Sequence, residues 1–264
     1  MKKIAVLGLK GGIGKTTTTV NLGAALAEKG RRVLLVDLDP QANLTLALGF
    51  QAVTDLSLAQ FLVNKASFHD VVRFYNKNLH CIPASGNLAK LDRLLIKLHE
   101  ENPFRPFVLK RAFARVPACY DFVLFDCPPS RSMLTINALS LADEVYMPIQ
   151  CHYFALESCR NTISLINSVK SRFNPLLTLS RVVPVMGDPR KHVTKNVLRE
   201  LRLIFGDSLS HTLIRENIAL VEAQGKRLTI FDHDIRCHGA EDYAALAEEV
   251  LSQMNAERTL LLTA

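Results

Sequence analysis

Short apolar runs alternate along the chain with longer stretches in which apolar residues recur at helical spacing. Such runs are typical of buried strands, and the helically spaced stretches are typical of helices that cover a sheet. The runs predict strands at Ile4–Leu7, Arg32–Val36, Leu79–Pro83, Phe122–Asp126, Glu144–Gln150 and Thr178–Met186. The helical spacing predicts helices at Thr17–Glu28, Tyr153–Arg172, 191–204 and Gly239–Asn255, with further covering helices between residues 42 and 118. This alternation predicts the α/β class: a doubly wound, mostly parallel sheet with helices on both faces.

A glycine-rich loop lies between the first predicted strand and the first predicted helix. Its glycines allow consecutive backbone N–H groups to turn inward, and the following helix offers its free N–H groups and positive dipole end to an anion. We therefore expect this phosphate loop to hold a nucleotide, with Lys15 reaching the β- and γ-phosphates and the Thr16 hydroxyl ligating Mg²⁺. The residues expected to bind the nucleotide are Lys10, Gly11, Gly12, Ile13, Gly14, Lys15, Thr16 and Thr17.

The start of the loop departs from the strict phosphate-loop pattern G-x-x-x-x-G-K-[ST]. Leu9 stands where that pattern has its first glycine, and Lys10 adds a second lysine. Lys10 is too close to the expected phosphate position to be only a solvated surface charge, so it indicates a charge role in the nucleotide-bound state. The alternative is a glycine-rich turn that binds nothing. That alternative leaves the order of strand, glycines, Lys-Thr pair and helix unexplained.

Three aspartates follow predicted strands, at the end of the sheet where ligands bind in open α/β folds. Asp37 and Asp39 follow the second strand, and Asp126 closes the fourth. Asp37 and Asp39 both face the crevice only if the chain turns between them, so a simple Asp-Pro turn is an alternative for this pair. Asp126 is expected to hold Mg²⁺ through water, because it accompanies the Lys-Thr pair of the phosphate loop.

Four basic residues share one face of the predicted helix 191–204. Their spacing of 4, 4 and 3 residues places them within about 80°, because each helical residue advances about 100°. A solvated helix face is the usual explanation of such a pattern, but no acidic residue interrupts this basic stripe, which favours contact with phosphates. The basic stripe consists of Lys191, Lys195, Arg199 and Arg202, and Arg190 and Arg215 flank it in the sequence. The apolar residues expected on the opposite, buried face are Val193, Val197, Leu201 and Ile204.

Composition predicts a cytosolic protein with a polyanionic partner. The 264 residues are 48% hydrophobic, enough for one large core, and we expect a single domain over residues 1–264. An excess of 32 Lys and Arg over 25 Asp and Glu gives a net charge of +7, which suits a polyanion. No apolar run reaches the roughly 18 residues of a membrane span, and the first strand leaves no room for a cleavable signal. Six cysteines without a CxxC pair are expected to be reduced thiols rather than zinc ligands.

With these residues in place, the chain resembles the ParA/Soj family of chromosome- and plasmid-partitioning ATPases, within the wider group that includes MinD. The resemblance runs nearly end to end, and its first three motifs together are very specific. It implies a P-loop NTPase fold with the deviant form of the phosphate loop. The motifs are KGGIGKTTTTVNLGAALA at 10–27, VLLVDLDPQAN at 33–43, FVLFDCPPS at 122–130, IRENIALVEAQGK at 214–226 and GAEDYAALAEEV at 239–250.

The resemblance implies an ATPase that uses ATP and Mg²⁺ and acts as a homodimer in its ATP state. Lys10 matches the signature lysine that reaches across a nucleotide-sandwich dimer to the partner's phosphates. Asp39 matches the aspartate that positions the attacking water, and Asp37 and Asp126 match the acidic groups around Mg²⁺. The resemblance thus makes Lys10, Lys15 and Asp39 the expected catalytic residues, and Thr16, Asp37 and Asp126 the expected metal-site residues.

The resemblance also implies partners. Family members of this type bind double-stranded DNA nonspecifically as ATP dimers, through basic residues that match the region of Arg190 and Arg215. A DNA-bound ParB-like protein stimulates their slow hydrolysis. The expected protein is therefore cytoplasmic and nucleoid-associated, with no membrane partner.

Two departures from the family bear on dimer packing and partner response rather than on nucleotide binding. Gly8-Leu9 stands where the family often has Asn-Gln, and Ser130-Arg131-Ser132 replaces the usual Ser-Leu-Gly.

Three other functions are built on a similar phosphate loop. A MinD-like membrane-cycling regulator needs a basic amphipathic C-terminal helix, whereas this chain ends in a short apolar tail. A metal-cluster ATPase like the nitrogenase iron protein needs a different cysteine spacing. A small-molecule kinase needs an acceptor pocket, which the sequence does not identify.

Overall fold

The computed structural model of the protein describes residues 1–52, 56–101, 107–152 and 155–263. Every predicted strand is present within them, and two short strands extend the sheet at its edges. The strands in chain order are β1 Lys2–Val6, β2 Val33–Asp37, β3 Arg73–Phe74, β4 Leu79–Ile82, β5 Phe122–Asp126, β6 Glu144–Gln150, β7 Thr178–Gly187 and β8 Ile214–Arg215.

The helices predicted from apolar periodicity are also present. The first begins at Lys15, two residues before its predicted start, and the last continues to Thr263, past its predicted end. Tyr153, the predicted first residue of the helix before β7, lies outside the described residues. In the described part of the chain, no helix combines the length and the apolar character that crossing a lipid bilayer requires. The helices are α1 Lys15–Glu28, α2 Asn43–Ala47, α3 Leu58–Leu62, α4 Phe68–Val71, α5 Asn87–Glu101, α6 Val108–Phe113, α7 Met133–Leu141, α8 Ala155–Arg172, α9 His192–Phe205, α10 Ile218–Gly225, α11 Ile230–His233 and α12 His238–Thr263, with a 3₁₀ turn at Gly206–Ser208.

The strands form one sheet in the order β3-β4-β2-β5-β1-β6-β7-β8. Neighbouring strands run parallel, except that β3 pairs antiparallel with β4 at one edge. Strands β2, β5 and β1 are adjacent, so their carboxyl ends meet at one end of the sheet. The doubly wound, mostly parallel class predicted from the sequence is confirmed.

Alternate side chains of the central strands pack against helices on opposite faces of the sheet. In β5, Val123 and Phe125 belong to the core cluster formed with α3 to α8, whereas Phe122 and Leu124 belong to the cluster formed with α1, α2 and α10 to α12. A strand has a side-chain period of two, so a strand buried on both faces reads as a continuous apolar run. This is why the strands were visible in the sequence.

Helix α1 follows the phosphate loop and is held by polar contacts from distant segments. The Tyr243 hydroxyl is 3.2 Å from the Thr18 hydroxyl, and the Asn21 side-chain oxygen accepts a 2.8 Å hydrogen bond from the Ile230 backbone N–H. All four of these residues are buried. The start of α1, where the nucleotide is expected, is therefore positioned by the opposite end of the chain.

The last turn of the basic helix α9 differs from the prediction. Val197 and Leu201 are buried as expected, but Ile204 is 56% exposed, so its predicted place on the buried face is wrong. Phe205, partly buried, packs against the same core cluster as Val197 and Leu201. The buried positions follow steps of four residues and so drift around the helix by about 40° per step. In the last turn the buried position is therefore Phe205, which lies about 100° from Ile204.

Candidate functional site

Three neighbouring strands end together at the site. Asp37 and Asp126 are opposite each other in the parallel register of β2 and β5, and Val6 is opposite Asp126 in the register of β1 and β5. The phosphate loop leaves β1 after Val6. The sheet therefore brings the loop and two carboxylates together, although the sequence separates them widely.

The phosphate loop has the backbone of an anion-binding turn. Gly12 and Gly14 have φ angles of +74° and +77°, a region in which a residue with a side chain is strained. Gly14 is the N-cap of α1, and no side chain caps the first N–H groups of this helix. These N–H groups and the positive end of the helix dipole are thus directed at the cavity above the loop.

The two lysines of the loop lie in different surroundings. Lys15 is buried, and its ammonium group donates a 3.1 Å hydrogen bond to the Lys10 carbonyl oxygen. Burial lowers the pKa of Lys15, and the charge of Asp126 opposes that effect. The Lys10 side chain is instead exposed to solvent. The Lys15 ammonium is therefore fixed by the backbone of the loop itself, and the Lys10 ammonium is not buried in it.

Asp126 is buried beside the start of α1. Its carboxylate accepts a 2.7 Å hydrogen bond from the Thr16 hydroxyl and a longer one, 3.4 Å, from the Thr19 hydroxyl. Burial, together with the negative charge of Asp37, raises the pKa of Asp126 to about 8. A carboxylate in this position is electrostatically unfavourable unless a cation accompanies it.

Asp37 is fully buried and is held by the segment that follows it. The Thr45 backbone N–H and hydroxyl donate to its carboxylate at 2.9 and 2.7 Å, and the Asp39 N–H donates at 3.1 Å. Burial raises the pKa of Asp37 to about 6 although these hydrogen bonds lower it. The chain turns directly after β2, so the turn alternative describes the backbone correctly, yet it leaves the buried carboxylate unexplained.

The donor set fits Mg²⁺. Two buried carboxylates and one hydroxyl, from Asp37, Asp126 and Thr16, are hard oxygen ligands, and the buried ammonium of Lys15 offsets one of the two negative charges. Within the described ranges, no group of three or more His, Cys, Asp or Glu side chains forms a complete metal cage. The site therefore suits a cation that takes its remaining ligands from water and phosphate oxygens, as Mg²⁺ commonly does.

A cavity of about 720 Å³ opens above the loop. Its floor is the phosphate loop, and its walls come from the segment after β2, from α2 and from α10. Asp39 lies on this wall, half-buried, and its carboxylate accepts a hydrogen bond from the Gln41 N–H at 2.9 Å. The cavity is large enough for a nucleotide, whose phosphates would lie at the loop.

The basic stripe is solvent-exposed: Lys195, Arg199 and Arg202 lie on α9, and Lys191 is the N-cap residue directly before it. All four of its side chains are exposed. Three of them also have contacts. Lys191 is 3.7 Å from the Glu216 carboxylate, Arg199 donates to the Asn196 side-chain oxygen at 3.2 Å, and Arg202 donates to the carbonyl oxygens of Gly206 and Leu209. The predicted arrangement on one accessible helix face is present.

The two flanking arginines differ from each other. Arg190 is 88% exposed and makes a two-pronged contact with Asp188, with both hydrogen bonds at 2.9 Å. Arg215 is bound by Asp242 and Glu241 of α12 at 2.6 and 3.0 Å, and only 29% of its side chain is exposed. The structure thus gives Arg215 a role in tying β8 to α12, which the sequence did not indicate.

Comparisons with known proteins decide the family. Residues 1–179 match the family described as AAA domain. The chain is 38% identical to the chromosome-partitioning ATPase Soj of Treponema pallidum over 253 residues, which cover 96% of this chain and 98% of that protein. It is 40% identical to the sporulation initiation inhibitor protein Soj of Bacillus subtilis, over 94% of this chain and 98% of that protein. The chain belongs to the Soj/ParA family. The resemblance drawn from the sequence motifs is confirmed.

The fold of this Soj/ParA protein is also found in the solved structure of an enzyme with a different name. Cobyrinic acid a,c-diamide synthase from Mycobacterium smegmatis is 30% identical to the chain and superposes with a TM-score of 0.83, covering 97% of each chain. That structure contains a bound ATP analogue and magnesium. A protein of the same fold therefore binds an ATP analogue together with magnesium.

Three polar residues of this Soj/ParA protein lie at the site although no sequence motif indicated them. The Gln224 amide donates a 2.7 Å hydrogen bond to the Thr17 hydroxyl, and the Gln150 amide donates to the Gly12 carbonyl oxygen at 2.9 Å. His152 Nε2 is 3.3 Å from the Lys10 ammonium nitrogen. Gln150 could have been predicted, because it is a polar residue at the carboxyl end of β6, beside β1. No comparable feature of the sequence indicated Gln224.

Proposed function

We propose that this Soj/ParA protein is an ATPase that converts ATP and water to ADP and phosphate and acts as a dimeric DNA-binding switch in chromosome or plasmid partitioning. Two chains close face to face on two nucleotides, and the ATP dimer binds double-stranded DNA without sequence preference. Hydrolysis, stimulated by a ParB-like partner, releases the DNA. The protein works in the cytoplasm, on the nucleoid.

The different surroundings of the two loop lysines carry this proposal. Lys15 is buried in its own loop, whereas Lys10 is exposed and directly precedes Gly11, which lines the cavity. An exposed ammonium beside a phosphate cradle can reach phosphates on a second chain. When two such faces close, the two Lys10 ammonium groups neutralise negative phosphate charge that each chain alone leaves uncompensated.

Nucleotide binding and hydrolysis use the residues at the ends of β1, β2 and β5. Backbone N–H groups of residues 10–17 cradle the phosphates, and Thr16, Asp37 and Asp126 would hold Mg²⁺. When bound, Mg²⁺ would supply positive charge that stabilises the negative charge of the phosphates. Asp39 orients a water whose oxygen bonds to the γ-phosphorus while the bond to the β-γ bridging oxygen breaks. Lys15 and the partner chain's copy of Lys10 stabilise the charge on the transferred phosphoryl group.

DNA binding is assigned to the basic stripe together with Arg190 and Arg215. Exposed basic side chains on one helix face suit backbone phosphates, which carry no sequence information. The contribution of Arg215 is expected to be smaller than that of the basic stripe, because its guanidinium is already bound by two carboxylates.

DNA retention in the presence of a slowly hydrolysed ATP analogue tests the switch. We expect retention with the analogue and little with ADP, and a logarithmic salt dependence of about −0.9 per phosphate contacted. Lys195→Ala should reduce this slope by about one contact, whereas Lys97→Ala, an exposed lysine on α5, should not change it. Equal retention with ADP and the analogue, or none with either, would refute the switch.

Light scattering with the Lys10→Ala variant tests the action of Lys10 across two chains. We expect the analogue to convert the wild-type protein to a dimer and to leave the variant monomeric, while the variant still binds the nucleotide. A dimer of unchanged affinity in the variant would exclude this role of Lys10.

The proposed partner is tested by measuring whether a purified ParB-like protein, bound to its DNA site, stimulates hydrolysis of ATP.

A further inference from the structure

A chain of polar contacts connects Lys10 to the carboxyl end of β6. The Lys10 ammonium nitrogen is 3.3 Å from His152 Nε2, and the same Nε2 is 3.0 Å from the Gln150 side-chain oxygen. The Gln150 amide nitrogen in turn donates to the Gly12 carbonyl oxygen at 2.9 Å. One imidazole nitrogen thus stands between the signature lysine and a residue that is fixed to the phosphate loop.

The orientation of the Gln150 amide follows from its contact with Gly12. A carbonyl oxygen only accepts hydrogen bonds, so the group that faces Gly12 must be the amide nitrogen. The same nitrogen is 3.0 Å from the sulfur of Met186, which is a weak acceptor. The Gln150 oxygen therefore faces His152, and it can only accept.

The two contacts of His152 Nε2 exclude each other. An ammonium group only donates, so Lys10 requires a lone pair on Nε2, whereas the Gln150 oxygen requires a proton there. A ring nitrogen has one or the other at any moment. His152 therefore has two arrangements: one holds Lys10, and the other binds Gln150 and gives Lys10 no acceptor at Nε2.

The geometry points to His152 as the residue that holds Lys10 on its own chain and determines when Lys10 becomes available to a second chain. Nε2 accepts from Lys10 in the separated subunit. When Nε2 instead carries a proton and donates to the Gln150 oxygen, the Lys10 ammonium is released and can bind phosphate across the dimer interface. His152 is thus a positioning residue for the dimer, and this role rests on the proposed function.

The amine reactivity of Lys10 tests the holding contact without nucleotide or dimer. The full chain is treated with a limiting amount of an acetylating N-hydroxysuccinimide ester, and mass spectrometry measures the rate at Lys10 relative to the exposed Lys97. We expect His152→Ala to raise this ratio about threefold, the size that a modest hydrogen bond supports. His152→Glu supplies a permanent acceptor that cannot donate to Gln150, so it should lower the ratio about threefold.

The matched control is His211→Ala, an exposed histidine away from the site, which should leave the ratio unchanged. A merely structural role for His152 would move the Ala and Glu variants in the same direction. Equal Lys10 reactivity in wild type, His152→Ala and His152→Glu would overturn the inference.

The concentration of ATP analogue that gives half-maximal dimer, measured by light scattering, connects the contact to function. We expect this concentration to fall about threefold in His152→Ala and to rise about threefold in His152→Glu. If all three proteins dimerise at the same concentration, the inference fails and the proposed function stands. If wild type forms no dimer, the proposed function fails, and the labelling ratios still decide whether His152 holds Lys10.

Discussion

Asp37 and Asp126 end neighbouring strands and are opposite each other in the register of β2 and β5, both with almost no solvent exposure. Each accepts a hydrogen bond from a threonine hydroxyl, Thr45 for Asp37 and Thr16 for Asp126. Two adjacent buried carboxylates oppose folding when both are charged. The arrangement therefore lowers the stability of the nucleotide-free protein, and a divalent cation bound here would offset the two negative charges.

The first prediction concerns Asp126→Asn. The folded-state pKa of about 8 is above the ordinary value of 3.8, so the folded protein takes up a proton, and stability falls as pH rises from about 4 to 8. Asparagine has no such titration. Without Mg²⁺, the variant should match wild type near pH 4 and exceed its free energy of unfolding at pH 8 by about 1 kcal/mol or more.

Denaturation at pH 4 to 8.5 in EDTA measures this effect. Asp207→Asn, an exposed aspartate, is the control and should keep the wild-type profile. Asp126→Asn should also lose the stabilisation that Mg²⁺ with nucleotide gives to wild type. A variant with the wild-type pH profile would contradict the prediction.

The second prediction separates the two flanking arginines. Arg215→Ala leaves Asp242, whose side chain is 9% exposed, without its arginine partner, and should lower the free energy of unfolding by roughly 1–3 kcal/mol. Adding Asp242→Asn to that variant should restore part of the loss. Arg190→Ala removes an exposed side chain and should reduce the salt dependence of DNA binding with no change in stability.

Urea denaturation and DNA retention, measured on the same proteins, decide between structural and DNA-binding roles. If Arg215→Ala has wild-type stability and loses DNA binding, Arg215 contacts DNA directly and its ion pairs are incidental.

The third prediction concerns the residue before the phosphate loop. A Cβ atom on Gly8 would lie 2.1 Å from Ile13 Cδ1, and Ile13 is buried within the loop. Gly8→Ala should force Ile13 to move and weaken nucleotide binding about tenfold, the effect of 1–2 kcal/mol of overpacking. Adding Ile13→Val removes the clashing Cδ1 and should restore most of the affinity.

Titration with a fluorescent ATP analogue measures these affinities. Gly86→Ala is the matched control, because a Cβ there meets no atom within 4 Å, and it should bind as wild type does. Failure of Ile13→Val to restore binding would show that Gly8 is needed for another reason.

The fourth prediction concerns Glu249, which joins α12 to the loop before β8. Its carboxylate accepts from Arg181 at 2.7 Å, from the Ser210 hydroxyl at 2.8 Å and from the Thr212 N–H at 2.6 Å. Burial raises its pKa, but the hydrogen bonds from Thr212 and Ser210 outweigh burial, so the pKa lies below the ordinary value. The stabilisation is therefore present above the unfolded-state pKa and is lost as pH falls through the folded-state pKa.

Glu249→Gln should lower the free energy of unfolding by roughly 1–3 kcal/mol at pH 7, and the difference from wild type should shrink as pH falls below the ordinary glutamate pKa of 4.5. Thermal melts across this range provide the measurement. The adjacent Glu248→Gln replaces a side chain that is 64% exposed and should change little. A difference that stays constant down to acid pH would mean that packing, not charge, stabilises this contact.

The sequence by itself determined the fold class, the family and the phosphate loop. Strands buried on both faces are continuous apolar runs in the sequence. Positions with positive φ, such as Gly12 and Gly14, are indicated by the glycine itself. These are local properties, readable within a few neighbouring residues. The exposed basic stripe on α9 was predictable for the same reason, whereas the place of Ile204 was not, because it depends on where the core beneath the helix ends.

Only the tertiary structure decided which polar residues meet the loop. Gln150 contacts Gly12 across 138 positions, and Gln224 contacts Thr17 across 207. The tertiary structure also pairs Arg215 with two carboxylates of α12. From the sequence alone, Arg215 counts as a basic residue available to DNA. Such contacts depend on strand order and on the packing of helices against the sheet. The sequence thus identified the loop that is expected to hold phosphates and indicated Lys10 as its unusual residue, and the fold placed His152 beside that lysine.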